Sequence, residues 1–253
     1  EEVPVALTYN RGTHAVMLAT PADLEDFAVG FSLAEGIVAS VADILDLAIV
    51  PLPQGIEARM ELRPALLDAL TRRQRRIAGP SGCGLCGMDS LTEAVRAVPT
   101  APSGGLFSPA MVRAAMEAMP AAQRLNLATR AVHAAGVWTP QAGLVALRED
   151  VGRHNALDKL AGALARGGGA PSEGMVLLSS RVSVEMVQKA AIMGAAVVVA
   201  VSAPTALAIR TADAAGLTLI GVARQDGFEV FTHPRRIEGD EVRRVGDLVT
   251  LAH

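Results

Sequence analysis

Residues 175–224 read MVLLSSRVSVEMVQKAAIMGAAVVVAVSAPTALAIRTADAAGLTLIGVAR, and their pattern is the strongest indication of the fold class. It contains three continuous apolar runs, and the segments between them have the spacing of helices that end at Gly194 and Gly216. Long apolar runs are typical of strands buried on both faces of a parallel sheet, and glycine commonly terminates a helix. The stretch therefore predicts an α/β fold with a parallel βαβαβ sheet, whose strands lie at 175–178, 195–201 and 217–222.

Polar residues follow each of these three runs. Ser179 and Arg181 follow the first, Ser202 and Thr205 the second, and Arg224 the third. The carboxyl ends of parallel strands meet at one edge of a sheet, where helix N-termini also bind anions. We therefore expect this edge to bind a phosphate or diphosphate group, although any single Ser or Thr there is more often a helix cap.

The densest polar stretch of the chain, REDVGRHNALDKLAG, lies at 148–162. It follows the strand-like run GLVAL and is expected to open a helix near Asn155, which crowds five ionisable groups at a strand-to-helix turn. Burying so many ionisable groups costs free energy, and such clusters are typical of functional sites. His154 is therefore a candidate ligand-binding residue, and the turn is expected to share a cavity with the cysteine loop described below.

A structural interpretation of the same turn stays open. Arg153 could pair with Asp150, and His154 could pair with Asp158 four residues later on the same helix face. In that case the turn would be a salt-bridged helix cap.

The first part of the chain has a different pattern, typical of an α+β unit. Two pairs of strand-like runs predict two hairpins. The segment TPADLEDFAVGFSLAEGIV between them predicts a helix capped by Thr20 and Asp23 and ended by Gly36. We place a domain boundary near Gly79, which gives a small α+β domain at 1–78 and a second domain at 79–253, with 99–105 as the other candidate linker. The four runs lie at 3–8, 13–19, 44–50 and 56–62.

The two cysteines of the chain, Cys83 and Cys86, lie in one glycine-flanked loop, GPSGCGLCG at 79–87. A structural zinc site would need two more ligands, and the histidines show no pair with ligand spacing. A zinc deaminase would need His-x-Glu, which is absent because Ala15 and Val16 follow His14. Sulfur carriage by a persulfide, thioredoxin-like dithiol exchange and a pair of inert thiols remain as interpretations.

Composition sets the class of protein. Half of the 253 residues are hydrophobic (51%), the net charge is −3 and the pI is about 6.0. The weak negative charge and the scarcity of aromatic residues argue against nucleic-acid binding. No apolar run is long enough to span a membrane and the start of the chain is acidic, so we expect a cytoplasmic protein whose cysteines stay reduced.

Several of these segments together resemble the formate dehydrogenase accessory sulfurtransferase family, FdhD. The resemblance is carried by SGCGLCG, EDVGRHNALDKLAG, SSRVSVEMVQKAAIMG, VSAPTALAIRTADAAGLTLIGVAR and TPADLEDFAVGFSLAEGI, which span nearly the whole chain. It implies a sulfur carrier that takes sulfur from a cysteine desulfurase. The acceptor it implies is a molybdenum or tungsten bis-guanine-dinucleotide cofactor, bound transiently and destined for formate dehydrogenase.

The resemblance also implies a homodimer with a cytidine-deaminase-like C-terminal domain, and it assigns site residues. The persulfide cysteine of the family falls on Cys83, with Cys86 as the second thiol. The chain departs from the expected pattern at two places: Val222 stands in place of an aromatic residue, and ATRAV precedes His133 where glycines are common in the family, which argues against His133 as a ligand. The segment that binds the cofactor in the family falls on Val222, Ala223, Arg224, Gln225, Asp226 and Gly227.

Overall fold

A computed structural model describes residues 1–66, 97–224 and 227–239. Its first sheet has four strands in the order β2-β1-β4-β3, and both predicted hairpins are confirmed. The β1–β2 turn places Asn10 and Arg11 at positive φ, the backbone that suits the twist of a tight hairpin. A parallel pairing of β1 with β4 joins the hairpins. The bounds are β1 (Val3–Tyr9), β2 (Gly12–Ala19), β3 (Ile44–Leu52) and β4 (Gly55–Leu62).

The second sheet has six strands in the order β10-β9-β8-β7-β5-β6. Its centre is the predicted parallel arrangement of β7, β8 and β9, and the remaining neighbours pair antiparallel. Every residue of β7 and β8 is buried, which is why both read as unbroken apolar runs. The bounds are β5 (His133–Thr139), β6 (Gly143–Asp150), β7 (Met175–Leu178), β8 (Val197–Ala200), β9 (Thr218–Arg224) and β10 (Gly227–Thr232).

Helices cover both faces of this second sheet. Three of them share one core with the inner strands, whereas α2 packs in a separate core on the other face. Each of the three follows a strand that ends at the same side of the sheet, so their N-termini lie along one edge. The bounds are α2 (Pro109–Ala122), α3 (Arg124–Thr129), α4 (Arg153–Gly167), α5 (Val184–Ile192) and α6 (Ala206–Ala214), of which α4, α5 and α6 are the three.

Helix α1 (Leu24–Ala34) joins the first sheet to the second by packing against α4. The two backbones approach so closely that a Cβ on Gly30 would overlap the carbonyl oxygen of Asp158, and one on Gly162 would overlap that of Asp26. Only glycine permits this contact at either position. The described parts of the N-terminal and C-terminal halves are therefore packed against each other through α1 and α4.

The predicted cap of α1 is wrong. The helix begins after Asp23, which has a left-handed backbone and no capping hydrogen bond, and the Thr20 hydroxyl instead accepts a hydrogen bond from the Val151 backbone N–H at 3.1 Å. The predicted end is confirmed, since the last helical residue is Ala34 and Gly36 has φ 66°. The domain boundary near Gly79 lies outside the described residues and stays a prediction. Within the described ranges, no helix is long and apolar enough to cross a membrane.

Candidate functional site

The predicted polar groups lie along one side of the six-stranded sheet, which we call the carboxyl edge. It comprises the ends of β6 to β9 and the first turns of α4, α5 and α6. His133, the first residue of β5, pairs with Asp150 at the end of β6, and Ala135 pairs with Leu178 at the end of β7. The strand-to-helix turn at 149–154 and the loop after β7 therefore lie on the same edge, as the sequence indicated.

Two of the hydroxyl groups that were predicted as ligands form hydrogen bonds to the backbone instead. The Ser179 hydroxyl accepts a hydrogen bond from the Ala134 N–H at 2.8 Å, and the Thr205 hydroxyl caps α6 by accepting one from the Ala208 N–H at 3.2 Å. Ser202 contributes its carbonyl, which accepts the Val222 N–H at 3.3 Å. The capping interpretation thus accounts for Thr205, whereas Ser179 stabilises strand β5 at the end of β7.

Arg181 and Arg224 are the exposed cations of this edge. Arg181 follows β7 and Arg224 ends β9, so both are accessible to an anion that approaches the edge. Guanidinium groups suit such a ligand because their planar donors match the oxygens of phosphate.

Val222 has an unusual backbone for a β-branched residue, with φ 51°. The strand pairing is irregular there, because Gly221 faces Glu229 whereas Arg224 faces Gly227. This is a β-bulge, and the left-handed conformation of its valine is strained. Ala223 is buried beside it. The two remaining residues of the predicted cofactor segment, Gln225 and Asp226, lie outside the described residues.

Asp150 is the centre of a buried polar network at the turn. It is fully buried and pairs with the equally buried Lys159 at 2.6 Å, not with Arg153 as the structural interpretation of the turn required. The side-chain amide of Asn155 donates to the same carboxylate at 2.9 Å. Backbone N–H groups of Thr20 and Gly152 complete its partners at 2.9 and 2.8 Å. A carboxylate with four donors is well satisfied although it has left water.

The second pair of that structural interpretation, His154 with Asp158, is not formed either. Both carboxylate oxygens of Asp158 contact Lys189 of α5 at 2.7 Å, so Asp158 is not the partner of His154. Burial raises the pKa of Asp158 to about 6, although the Lys189 ammonium opposes this shift. The Glu149 carboxylate has a capping role, because it accepts the N–H groups of Leu125 and Asn126 in the first turn of α3, both at 2.8 Å.

His154 is held neutral by its surroundings. Burial lowers its pKa to about 4, helped by the positive charges of Lys189 and Arg153. Burial also lowers the pKa of His133, again helped by Arg153. The guanidinium of Arg153 therefore acts on two imidazoles at the carboxyl edge.

The sequence did not indicate that Lys159 and Lys189 are buried, because lysine is expected at the surface. The spacing of the helix could have indicated that Lys159 is buried. Asn155, Lys159 and Gly162 share one helix face, on which Asn155 is buried and Gly162 is tightly packed. For Lys189 the signal was its place between the apolar residues of α5.

The cysteine loop, with Cys83 and Cys86, lies outside the described residues. Its predicted proximity to the turn at 149–154 therefore stays a prediction. In the part of the chain that the structure describes, no group of three or more His, Cys, Asp or Glu side chains is arranged to hold a metal ion.

Comparisons with a family model and with known proteins identify the same family. The model of the FdhD/NarQ family matches residues 1–238. The chain belongs to the FdhD/NarQ family. A relative from Agrobacterium fabrum, named Sulfur carrier protein FdhD, is 54% identical over 239 residues, which are 94% of this chain and 88% of the relative. A relative of the same name from Cupriavidus necator is 51% identical over 94% of this chain and 83% of its own length.

A crystal structure supports the same fold. The protein, from Desulfotalea psychrophila, is assigned as a formate dehydrogenase accessory protein. It superimposes with a TM-score of 0.73 at 26% identity, covering 94% of this chain and 90% of its own. The mixed α/β architecture with two mixed sheets is thus that of an FdhD-type accessory protein.

Proposed function

We propose that this protein is a sulfur carrier that loads a persulfide on Cys83 for the maturation of formate dehydrogenase. The observation that carries the proposal is the pairing of two facts. The only two cysteines of the chain form one glycine-flanked Cys-x-x-Cys motif, and the family relatives are named sulfur carriers. Such a carrier acts as a sulfurtransferase.

The loading step transfers one sulfur atom without net oxidation. The Cys83 thiolate attacks the terminal sulfur of a persulfide on a cysteine desulfurase. A new S–S bond forms on Cys83, the S–S bond of the donor breaks, and the donor cysteine leaves as a thiolate. The glycines that flank Cys83 in the sequence carry no side chains that would hinder the approach of a second protein's cysteine.

The delivery step needs two electrons, because the terminal sulfur of a persulfide must leave as sulfide to become a metal ligand. Cys86 is placed in sequence to supply them. When the acceptor is bound, the Cys86 thiolate attacks the inner sulfur of the Cys83 persulfide, which forms a Cys83–Cys86 disulfide and releases the outer sulfur as hydrosulfide. A cellular thiol then reduces the disulfide for the next cycle.

The acceptor in this proposal is a molybdenum or tungsten bis-guanine-dinucleotide cofactor, bound transiently as a substrate. Its phosphates would contact Arg181 and Arg224, the exposed guanidinium groups of the carboxyl edge. The bulge at Val222 would present the backbone of Val222 and Ala223 to the guanine end. The partners are then a cysteine desulfurase and formate dehydrogenase. We further propose a cytidine-deaminase-like C-terminal domain, a homodimer and a cytoplasmic location.

Mass spectrometry of the whole protein tests this function. After incubation with a cysteine desulfurase and cysteine, a sulfur carrier gains one sulfur atom on Cys83. A cofactor-binding chaperone without sulfur transfer gains none, and a dithiol oxidoreductase closes a Cys83–Cys86 disulfide without gaining sulfur. Cys86→Ala should still load sulfur but should deliver it more slowly, and an added thiol should restore delivery.

A further inference from the structure

We propose that a cavity between the last turns of α1, α4 and α5 binds a medium-chain aliphatic carboxylate, with the Lys189 ammonium as the partner of its carboxylate group. The cavity has a volume of about 320 Å³. The first turns of α4 and α5 lie at the carboxyl edge, so the cavity lies at the opposite end of these helices. It is therefore separate from the residues proposed above to contact the cofactor.

The walls of the cavity are almost entirely aliphatic. Among the described residues that line it, Lys189 is the only charged one. Sites for small molecules have this character, because an apolar lining binds the body of the ligand and a few polar groups orient it. The lining includes Leu33 and Val38 from the end of α1 and the turn after it, Leu164 of α4, Pro171, and Ile192 and Met193 at the end of α5.

The volume of the cavity limits the length of the ligand. A water molecule occupies about 30 Å³ in the liquid, so the cavity holds roughly ten groups of that size. Octanoate, with eight carbons and two oxygens, matches this number. An aliphatic chain of this length would bury its CH₂ groups against the leucine, isoleucine and methionine side chains, which favours binding through the hydrophobic effect.

Lys189 has one donor left for such a ligand. Its residue is only 8% exposed, and two of its three N–H groups contact the carboxylate oxygens of Asp158, both at 2.7 Å. The nearest oxygen of Glu35 is 3.9 Å from Nζ, which is too long for a hydrogen bond, and the centre of the Phe31 ring lies 5.8 Å away. The third N–H thus has no acceptor at hydrogen-bond distance among the described residues, and a ligand carboxylate would supply one.

The charges around Lys189 permit a second anion. The Glu35 side chain is 30% exposed, so water screens its charge. Burial raises the pKa of Asp158 to about 6, and the carboxylates of Glu35 and Asp150 raise it as well, whereas Lys189 opposes the shift. An anion in the cavity would raise this pKa further. Asp158 could then take a proton from water, and the ligand would replace it as the counter-ion of Lys189.

Titration calorimetry of the full chain with ligands that share one tail tests the role of the ammonium. Octanoate should bind to wild-type protein at least fivefold more tightly than octanol, because only the carboxylate gains a charge-assisted hydrogen bond. Hexanoate should bind roughly tenfold more weakly than octanoate, since it buries two fewer CH₂ groups. No binding of octanoate, or binding of octanol or octylammonium as tight as that of octanoate, would overturn the proposal.

A matched pair of variants tests the position of the site. Ala165 lines the cavity from an exposed position on α4, so Ala165→Leu fills part of the cavity and should weaken octanoate binding tenfold or more. Ala114→Leu makes the same change at an exposed position on α2, which packs on the other face of the sheet, and should change the affinity less than twofold. Equal effects of the two variants would contradict this position.

A measurement on the wild type keeps the test independent of how the variants fold. The NMR signal of the Met193 methyl group should shift on addition of octanoate, with the assignment made by Met193→Leu. A Met193 signal that does not move at saturating octanoate would overturn the site. Sulfur loading on Cys83 is measured separately, so failure of this proposal would leave the proposed function standing.

Discussion

At the scale of single residues, His154 makes stability depend on pH. The folded pKa of about 4 lies below the ordinary value of 6.5. As the pH falls below 6.5, the unfolded chain gains a proton that the folded state does not bind until about pH 4. The free energy of unfolding therefore falls as the pH falls through this window. Between pH 7 and 5, wild-type protein should lose on the order of 1 kcal/mol more than His154→Gln in urea denaturation.

The comparison with His154→Gln is needed because Asp158 acts in the opposite direction. Its folded pKa is raised from 3.8 to about 6, so the folded state takes up a proton first and gains stability as the pH falls through that range. Subtracting the variant curve removes this shared contribution. Parallel pH dependences for the two proteins would contradict the assignment to His154.

Val222 offers a second test at this scale. A left-handed backbone costs a β-branched residue about 1–2 kcal/mol, and glycine removes this cost. Val222→Gly should therefore destabilise the protein about 1–2 kcal/mol less than Val145→Gly, which replaces an exposed valine in β6. Urea denaturation of the two variants measures the difference. Equal losses would show that the bulge holds no strain at Val222.

At the scale of elements, the crossing of α1 and α4 is so close that neither Gly30 nor Gly162 has room for a Cβ atom. Gly30→Ala places a methyl group onto the backbone of Asp158 and should cost more than about 3 kcal/mol, because backbone cannot move aside as a side chain can. Gly167→Ala, at the last turn of α4, meets no atom within 4 Å and should be neutral or slightly stabilising. Thermal unfolding of both variants decides. Comparable melting temperatures would rule out the close crossing.

The elements that sequence could predict are those set by local patterns. Hairpins follow from alternation and turn residues, and the βαβαβ unit follows from apolar runs, because both signals lie within a few residues. The parallel pairing of β1 with β4 leaves no such signal, since it joins strands some fifty residues apart. The predicted cap of α1 was wrong for the same reason. The Thr20 hydroxyl accepts a hydrogen bond from the backbone N–H of Val151, which is distant from it in the sequence.

In the candidate site, too, the features set by local patterns could be predicted and the contacts between distant residues could not. Topology placed Ser179, Arg181 and His154 at one edge, and the structure confirms that arrangement. The ion pairs were wrong because spacing along one helix favoured Asp158 with His154, whereas the buried Lys189 on another helix offers a full charge to the carboxylate. A buried ammonium is stable only beside an anion. The ion pair of Lys189 with Asp158 is therefore favoured over a contact of Asp158 with His154 on the same helix face.

At the scale of the whole molecule, Lys159 links the N-terminal segment to the second sheet. It contacts Asp150 at 2.6 Å and donates to the Thr20 carbonyl at 2.9 Å, both groups being buried. Lys159→Met leaves the Asp150 charge without its counter-ion and should cost about 3 kcal/mol. Arg59→Met, which breaks a surface pair with Glu57 at 2.6 Å, should cost less than about 1 kcal/mol. Chemical denaturation compares the two, and a small loss for Lys159→Met would show that the link contributes little.

The proposed function depends on sulfur loading at Cys83, which mass spectrometry measures. Whole-protein mass spectrometry after incubation with a cysteine desulfurase and cysteine should show one added sulfur atom on the wild type and on Cys86→Ala, and none on Cys83→Ala. The Cys83→Ala protein should keep the wild-type melting temperature, since a thiol in a glycine-rich loop contributes little packing. Sulfur loading on a folded Cys83→Ala protein, or none on the wild type, would contradict the account.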